Sequence, residues 1–137
     1  MMLLLFSCVS NEFFFQEYEL SIQVSNPTSG ASHQATLLYE WFGEGVLRYP
    51  MYPIDETTFD GDTVASWKVL VEKEQGEGLA LYVWEDVDGD EALCSPENRS
   101  ERAGLILVDG TELQQEISLE LQQECLGAER LYGLLSD

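Results

Sequence analysis

A short acidic stretch carries the clearest chemistry in this sequence. Counted from Asp86, carboxylates stand at positions 1, 3, 5 and 12 of a twelve-residue loop, and position 7 can offer a backbone carbonyl. Calcium takes about six to eight oxygen ligands, and alternate side chains of a tightly curled loop converge on one point. The sequence therefore predicts a structural calcium site with these ligands: Asp86, Asp88, Asp90, Ala92 and Glu97.

The loop departs from the helix–loop–helix EF-hand in two ways. Position 6 is Glu91, although the sharp turn at this position favours glycine, and Gly89 is expected to supply part of the missing freedom. The preceding residues 79–84 alternate as a strand rather than a helix. A calcium loop carried by a strand is therefore expected.

The charge of the chain allows a second interpretation of this stretch. Closely spaced aspartates are costly without a cation, because each negative charge raises the pKa of its neighbours. The 137 residues, however, hold 26 Asp and Glu against 6 Lys and Arg, a net charge of −20, so a solvated acidic surface loop is the alternative. The same charge excludes nucleic acid as a partner, and it excludes docking to anionic lipid through a basic face.

The elements that must position this loop are strands. Apolar and polar residues alternate with period two along most of the chain. Strands are predicted at residues 17–24, 34–41, 46–49, 64–72, 79–84, 103–108 and 117–121. The pattern indicates an all-β, single-domain β-sandwich of about seven mostly antiparallel strands, prealbumin-like or Ig-like.

The segments between these strands carry further predictions. Residues 55–62 are expected to form an acidic loop, and Pro50 and Pro53 to place the preceding strand at an edge. Asp109-Gly110 is a hairpin signal. Residues 114–125 could form a helix on propensity, but the apolar alternation within them favours a strand.

The N-terminal residues Leu5-Phe6-Ser7-Cys8 resemble a bacterial lipobox, in which the cysteine is lipidated and becomes the mature N-terminus. The whole chain is similar to small exported bacterial lipoproteins. The resemblance implies that residues 1–12 are a signal remnant and tether, that residues 13–137 form the sandwich, and that the protein is lipid-anchored in the periplasm or on the outer surface. An apolar N-terminal strand with a chance cysteine is the alternative.

Cysteine usage agrees with export. Lipidation of Cys8 would leave the even pair Cys94 and Cys125. An oxidising compartment permits a disulfide between them, which would stabilise the fold by roughly 3–4 kcal/mol in the chain-entropy model. Three free thiols in a cytosolic protein are the alternative. A Cys/His zinc site is not supported, since the sequence has one histidine and no Cys-x-x-Cys pair.

Two segments, the first of which includes the aspartates of the loop, are Tyr82-Val83-Trp84-Glu85-Asp86-Val87-Asp88-Gly89-Asp90 and Glu101-Arg102-Ala103-Gly104-Leu105-Ile106-Leu107-Val108. Together they resemble the B-type repeats of Gram-positive serine-aspartate adhesins, which are calcium-binding β-sandwiches related to the prealbumin-like group. The resemblance implies calcium ligation by Asp86, Asp88 and Asp90, with Glu97 or Glu101 as a further ligand.

Other residues point less sharply to a function. His33, the single histidine, could act as a general base but is expected as a polar residue near a loop end. The sequence contains neither a nucleophile elbow nor a phosphate-binding glycine loop. Five aromatic residues could form a sugar-binding platform, although such residues more often fill a sandwich core. They are Tyr39, Trp41, Trp67, Tyr82 and Trp84.

The predicted function is that of a non-enzymatic cell-envelope lipoprotein, a structural or interaction module with a calcium-stabilised loop and a disulfide. We expect a monomer that binds a protein or a glycan and meets the membrane only through a lipid on Cys8. One alternative is a carbohydrate- or small-ligand-binding module that uses exposed aromatic residues. A small hydrolase is a further alternative with less support.

Overall fold

The computed structural model describes residues 15–40, 52–72, 78–94 and 100–126, and their regular structure consists of β-strands. These ranges contain no helical segment that could span a membrane. The strands, in chain order, are β1 Phe15–Val24, β2 Ser32–Glu40, β3 Tyr52–Asp60, β4 Ala65–Glu72, β5 Gly78–Asp86, β6 Arg102–Val108, β7 Gln114–Leu119 and β8 Gln123–Glu124.

The strands form two sheets. A three-stranded sheet has the order β4-β1-β7, and a five-stranded sheet has the order β3-β2-β5-β6-β8. Neighbouring strands are antiparallel except β1 and β7, which are parallel. The predicted single-domain β-sandwich is thereby confirmed. The boundary between residues 1–12 and 13–137, and the kinship with prealbumin-like or Ig-like sandwiches, stay predictions.

Apolar residues from both sheets meet in an inner core. Strand β4 shows the pattern clearly, because every second side chain is buried and the others face solvent. Full burial of a Leu, Ile or Val side chain contributes about 1.5–3 kcal/mol, so this core supplies the main stabilisation of the fold. The inner core consists of Tyr18, Leu20, Ile22, Val24, Ala35, Leu37, Trp67, Val69, Val71, Leu79, Leu81, Val83, Val108, Ile117, Leu119 and Leu121.

Strand β5 is buried on both faces, which explains its nearly continuous apolar sequence. Its odd-numbered residues from Leu79 to Val83 belong to the inner core. Tyr82 and Trp84 point the other way, into an outer cluster on the far side of the five-stranded sheet. The outer cluster consists of Leu38, Tyr82, Trp84, Leu93, Cys94 and Ala103, with Leu105, Cys125 and Leu126 packed against it. The next two residues of β5 therefore emerge on opposite faces.

The prediction of an acidic loop at residues 55–62 is wrong, because residues 52–60 form β3 at the edge of the five-stranded sheet. A β-bulge opposite Leu37 and Leu38 shifts the pairing, so that Ile54 and Phe59 both pack against the inner core. The bulge breaks the simple alternation that marks a strand, and an edge position leaves acidic side chains in solvent. The strand predicted at residues 46–49 lies outside the described residues.

The hairpin predicted at Asp109-Gly110 is also wrong. The turn carries the chain from one sheet to the other, since β7 pairs with β1 rather than with β6. Tyr18 donates its hydroxyl hydrogen to the Gly110 carbonyl at 2.6 Å, and Asp109 Oδ1 accepts from the N–H of Thr111 at 2.9 Å. The strand assignment for the following segment is confirmed, because residues 114–119 form β7.

Candidate metal centre

The acidic loop joins the ends of β5 and β6. Asp86 is the last residue of β5, and Glu101 immediately precedes β6. With Asp88 and Asp90, each of these residues offers one carboxylate oxygen, and the four atoms lie within 4.8 Å of one another. Asp86 and Glu101 are buried, whereas Asp88 and Asp90 are exposed. The cluster, which we call the acidic cluster, has a buried base and a rim open to solvent, and it could hold a metal ion.

Asp86 organises the loop through backbone amides. Its Oδ1 accepts a hydrogen bond from the N–H of Gly89 at 2.9 Å, and its Oδ2 accepts one from the N–H of Glu91 at 2.9 Å. Farther along, Asp90 Oδ1 accepts from the N–H of Ala92 at 3.0 Å. Such contacts curl the backbone tightly, and a carboxylate keeps further lone pairs that can bind a cation.

The backbone of the loop is left-handed at two residues that the sequence singled out. Gly89 has φ 73° and Glu91 has φ 60°. Glycine adopts this region without a steric penalty, whereas another L-residue pays about 1–2 kcal/mol. Glu91 occupies the position where an EF-hand favours glycine, and its backbone has the same left-handed conformation that glycine adopts there. The hydrogen bond from its N–H to Asp86 holds it in this conformation.

Glu101 accepts hydrogen bonds from both ends of the loop. This fully buried carboxylate accepts a hydrogen bond at Oε2 from the N–H of Val87 at 2.8 Å and at Oε1 from the N–H of Cys94 at 3.0 Å. The predicted disulfide between Cys94 and Cys125 is confirmed, with Cα atoms 5.6 Å apart. The N–H of Cys125 donates to the Glu101 carbonyl at 2.8 Å, so this residue connects the loop, the disulfide and β6.

The electrostatics of the acidic cluster favour bound protons or cations. Burial is the largest influence on Glu101 and raises its pKa above the ordinary value of 4.5. Two loop N–H groups oppose this effect, but the carboxylates of Asp86 and Asp88 reinforce it. The N–H of Ala92 lowers the pKa of Asp90, yet desolvation and the two neighbouring aspartates outweigh it, so the pKa is raised. Upward shifts of this kind are expected where like charges share a site.

A second charged cluster, which the sequence analysis missed, lies on the inner face of the same strands. Glu85 is 1% exposed and accepts hydrogen bonds from Arg102 Nε at 2.8 Å and Nη2 at 3.3 Å. It also accepts from the N–H of Thr28 at 3.1 Å and from its hydroxyl at 2.9 Å. Burial raises the pKa of Glu85, but the bonds from Arg102 and Thr28 outweigh burial and hold the pKa below 4.5.

His33 belongs to this inner charged cluster. It lies near the start of β2, as expected, but it is fully buried, directly across from Glu85. Its Nδ1 lies 3.1 Å from the Ala31 carbonyl, which can only accept, so Nδ1 carries a hydrogen. Its Nε2 lies 3.5 Å from Glu85 Oε2 and makes no hydrogen bond with the described residues. The signal was present in the sequence, because His33 alternates in phase with Ala35 and Leu37.

The predicted ligands have different outcomes. The structure brings Asp86, Asp88 and Asp90 together, and Glu101 is the fourth carboxylate of the group. Glu97, the other candidate for the last ligand, lies outside the described residues, as do Cys8 and Trp41. The loop includes Ala92, whose carbonyl ligation stays a prediction.

The aromatic residues considered for a sugar platform are mostly internal. Trp67 is 8% exposed and lies in the inner core, and Trp84 is 7% exposed and lies in the outer cluster. Tyr82 is buried beside Trp84, while Tyr39 packs against the inner core and donates its hydroxyl hydrogen to the Glu72 carbonyl at 3.0 Å. These positions favour the interpretation of the aromatic residues as core.

Comparisons of this chain with protein-family models, with characterised proteins and with solved structures gave no match. The resemblances to adhesin repeats and to small exported lipoproteins therefore stay predictions.

Proposed function

We propose that this protein is a non-enzymatic module of the bacterial cell envelope, a lipid-anchored β-sandwich whose acidic loop is stabilised by Ca²⁺. The convergence of four carboxylate oxygens within 4.8 Å at the ends of β5 and β6 is the observation that carries the calcium proposal. Export and anchoring through Cys8 are supported by the sequence alone.

The charge balance of the acidic cluster favours a cation. Asp86 and Glu101 are buried, and among the described residues neither forms an ion pair with a Lys, Arg or His side chain. Two like unit charges about 4 Å apart repel by about 4 kcal/mol at an effective dielectric constant of 20, so a buried pair needs a proton or a cation. The exposed rim, Asp88 and Asp90, gives an ion access from solvent.

The donor atoms favour calcium among the common metal ions. All four side chains offer oxygen, while Cys94 is engaged in the disulfide and His33 lies in the inner charged cluster. Oxygen donors suit hard cations, whereas transition metals favour nitrogen and sulfur. Calcium accepts about six to eight ligands in irregular geometry, whereas magnesium demands a near-octahedral shell and keeps water. We expect the Ala92 carbonyl and water to complete the calcium shell.

The role of the ion in this proposal is structural. The loop covers apolar surface, because Leu93 and Cys94 belong to the outer cluster with Tyr82 and Trp84. An ion held by carboxylates at the start of the loop and beside β6 would keep this cover in place. Calcium sites of extracellular modules have dissociation constants of about 10⁻⁴ to 10⁻³ M, and we expect the same range here.

The cell-envelope part of the proposal has independent support. The segment Leu5-Phe6-Ser7-Cys8 resembles a lipobox, and the Cys94–Cys125 disulfide suits an oxidising compartment. A non-enzymatic role is supported by the complete burial of His33, the single histidine of the sequence. We propose a monomer that meets the membrane through its lipid and binds a protein or a glycan.

Thermal unfolding in calcium tests the metal proposal. At about 10 mM Ca²⁺, a site with the expected affinity stabilises the folded state by about 1.4–2.7 kcal/mol through mass action and raises Tm by several degrees. We expect a smaller effect from the same concentration of Mg²⁺. An unchanged Tm in millimolar calcium would remove the metal proposal.

Two matched aspartate variants identify the site. Asp90→Asn keeps Oδ1 as the acceptor for the Ala92 N–H but removes one charge, and we expect it to lose most of the calcium-induced shift. Asp109→Asn is the control, because Asp109 is also exposed and accepts from the N–H of Thr111, at the other end of β6. The control should keep the full shift, and equal shifts in both variants would mean that calcium acts elsewhere.

Mass spectrometry of the protein isolated from its native bacterium tests the anchoring proposal. We expect a mature chain that begins at a lipid-modified Cys8, and a Cys8→Ser variant that keeps the preceding residues and carries no lipid. A native protein with an intact, unmodified Met1 would exclude export by this route without affecting the calcium proposal.

A further inference from the structure

We propose that the Cys94–Cys125 disulfide is a redox latch on the acidic loop. In its oxidised form the disulfide holds Glu101 against the loop, and its reduction releases the loop and weakens cation binding. The effect on cation binding rests on the proposed function, whereas the effect on the loop rests on contacts within the protein.

Glu101 contacts both cysteines, with different groups. Its Oε1 accepts from the N–H of Cys94 at 3.0 Å, and its carbonyl oxygen accepts from the N–H of Cys125 at 2.8 Å. The Cys94 sulfur lies 3.3 Å from the same carbonyl oxygen. With the disulfide formed, the two cysteines are tied to each other beside Glu101, and the bond keeps the Cys94 N–H within reach of the Glu101 carboxylate.

Both cysteines have an unusual backbone. Cys94 has φ 53° and Cys125 has φ 57°, and among the described non-glycine residues only Glu91 shares this region. Residues with a Cβ rarely adopt left-handed conformations and keep them only where the surroundings impose them. Without the covalent bond each cysteine can return to an ordinary φ, and the chain on the two sides of Cys94 would then change its position relative to Glu101.

The strand ladder that the described residues form at this edge of the sheet is short. Strand β8 has two residues and pairs only with Arg102 and Ala103. Beyond it, the Leu126 carbonyl accepts a hydrogen bond from the Tyr82 hydroxyl. A two-residue ladder is marginal by itself. The disulfide adds a covalent link between the far end of the acidic loop and the edge of β6 to the hydrogen bonds and apolar contacts there.

The latch opens by exchange with a dithiol. One thiolate of the reductant attacks the sulfur of Cys125, which is half-buried, whereas Cys94 is 6% exposed. The S–S bond breaks, and Cys94 leaves as a thiolate that takes up a proton. The second thiol of the reductant then displaces Cys125, which is protonated in turn. Two electrons and two protons pass to the protein, and the reductant becomes a disulfide.

Amide hydrogen exchange in calcium-free buffer tests the loop. On reduction by a dithiol, we expect the amides of Val87 and Cys94, which donate to Glu101, to exchange about tenfold faster or more. The amide of Leu37, in the buried part of β2, should keep its protection. A double variant, Cys94→Ser with Cys125→Ser, should exchange like the reduced protein and should not respond to the dithiol.

Calorimetric titration with CaCl₂ tests the link to the cation. We expect reduction to raise the calcium dissociation constant by about 10- to 100-fold, the usual effect of losing groups that orient metal ligands. Unchanged calcium affinity after reduction would overturn the link. Unchanged exchange at Val87 and Cys94, or equally fast exchange at Leu37, would overturn the latch whatever calcium does. Faster loop exchange in a protein that binds no calcium in either form would uphold the latch and overturn the proposed function.

Discussion

Two groups of charged side chains lie back to back at one end of β5 and β6, and their charges are balanced in different ways. Successive residues of a strand face opposite sides, so Glu85 and Arg102 lie on the inner side and Asp86 and Glu101 on the outer side. Glu85 meets an arginine nitrogen at 2.8 Å. Asp86 and Glu101 meet further carboxylates within 4.8 Å. Among the described residues, Arg102 neutralises the inner cluster, whereas the buried carboxylates of the acidic cluster face other carboxylates and could take up a proton or a metal ion.

The comparison shows that burial alone does not separate a structural carboxylate from a candidate ligand. Glu85 and Glu101 are both almost completely buried, at 1% and 0% exposure. Their pKa values nevertheless move in opposite directions, downward for Glu85 and upward for Glu101. The partners decide the direction, because a cation favours the ionised form and other carboxylates oppose it. A single step along each strand therefore separates a structural ion pair from a site that can take an external ion.

Removing the cation of the inner cluster should have the largest effect on stability. Arg102→Met would leave Glu85 buried with hydrogen bonds only from Thr28 among the described residues, and breaking such a pair costs about 3–5 kcal/mol. We expect about 3 kcal/mol, because the Arg102 side chain is 29% exposed. Urea unfolding measures the loss. Lys68→Met, an exposed cation on β4, is the control and should change stability by about 0.5 kcal/mol or less.

A loss below about 1 kcal/mol in Arg102→Met would make the inner pair no better than a surface ion pair and would remove the contrast between the two faces. The inner charged cluster depends on close packing around the imidazole of His33 as well as on charge.

Crowding His33 should lower the free energy of unfolding by an intermediate amount. A Cβ at Gly61 would lie 2.2 Å from Cε1 of the buried His33 ring, so Gly61→Ala must displace the ring that faces Glu85. Overpacking of this kind costs about 1–3 kcal/mol. Gly110→Ala is the control, because among the described residues its Cβ would meet the Tyr18 hydroxyl alone, at an ordinary 3.9 Å. If both alanine variants unfold at the same urea concentration, the inner cluster does not need its tight packing.

Much of the fold follows from the sequence, because the alternation of apolar and polar residues is visible within a short stretch of chain. The period of two in β1, β4 and β7 sets which side chains are buried, and the sandwich follows from it. The errors at β3 and at Asp109-Gly110 have non-local causes. A bulge in the pairing of β2 with β3 obscures the alternation, and the partner of β7 is β1, far away in the chain. Pairing partners and bulges depend on tertiary structure, which no short window contains.

The two charged clusters also differ in how well the local sequence predicts them. The three aspartates of the loop are near neighbours in sequence, so their spacing alone predicted that they would meet. The inner cluster joins His33, Glu85 and Arg102 from three strands. Phase alone places His33 and Glu85 on the inner face, but their direct opposition depends on the register of β2 with β5. Register is set by the whole sheet, and the sequence left it open.

A change of pH perturbs the protein less than a substitution does, and it should distinguish the carboxyls of the two faces by the pH at which they titrate. We expect the Glu85 carboxyl to titrate below 4.5 and the Glu101 carboxyl above it, as measured by carbon-13 NMR of the side chains. The contribution of Glu85 to stability is present above 4.5 and is lost as pH falls through its lowered folded-state pKa. The contribution of Glu101 is present below 4.5 and is lost as pH rises through its raised folded-state pKa.

Calcium should act on only one of these titrations. The ion competes with protons for the acidic cluster, so it should move the titration of Glu101 to lower pH and should stabilise the fold more strongly towards neutral pH. Glu85 already has Arg102 and should not respond. Asp109, whose pKa is lowered by hydrogen bonds from Thr111, provides a reference outside both clusters. Equal movement of all three titrations would show that calcium acts through ionic strength, and the two faces would then differ only in their protons.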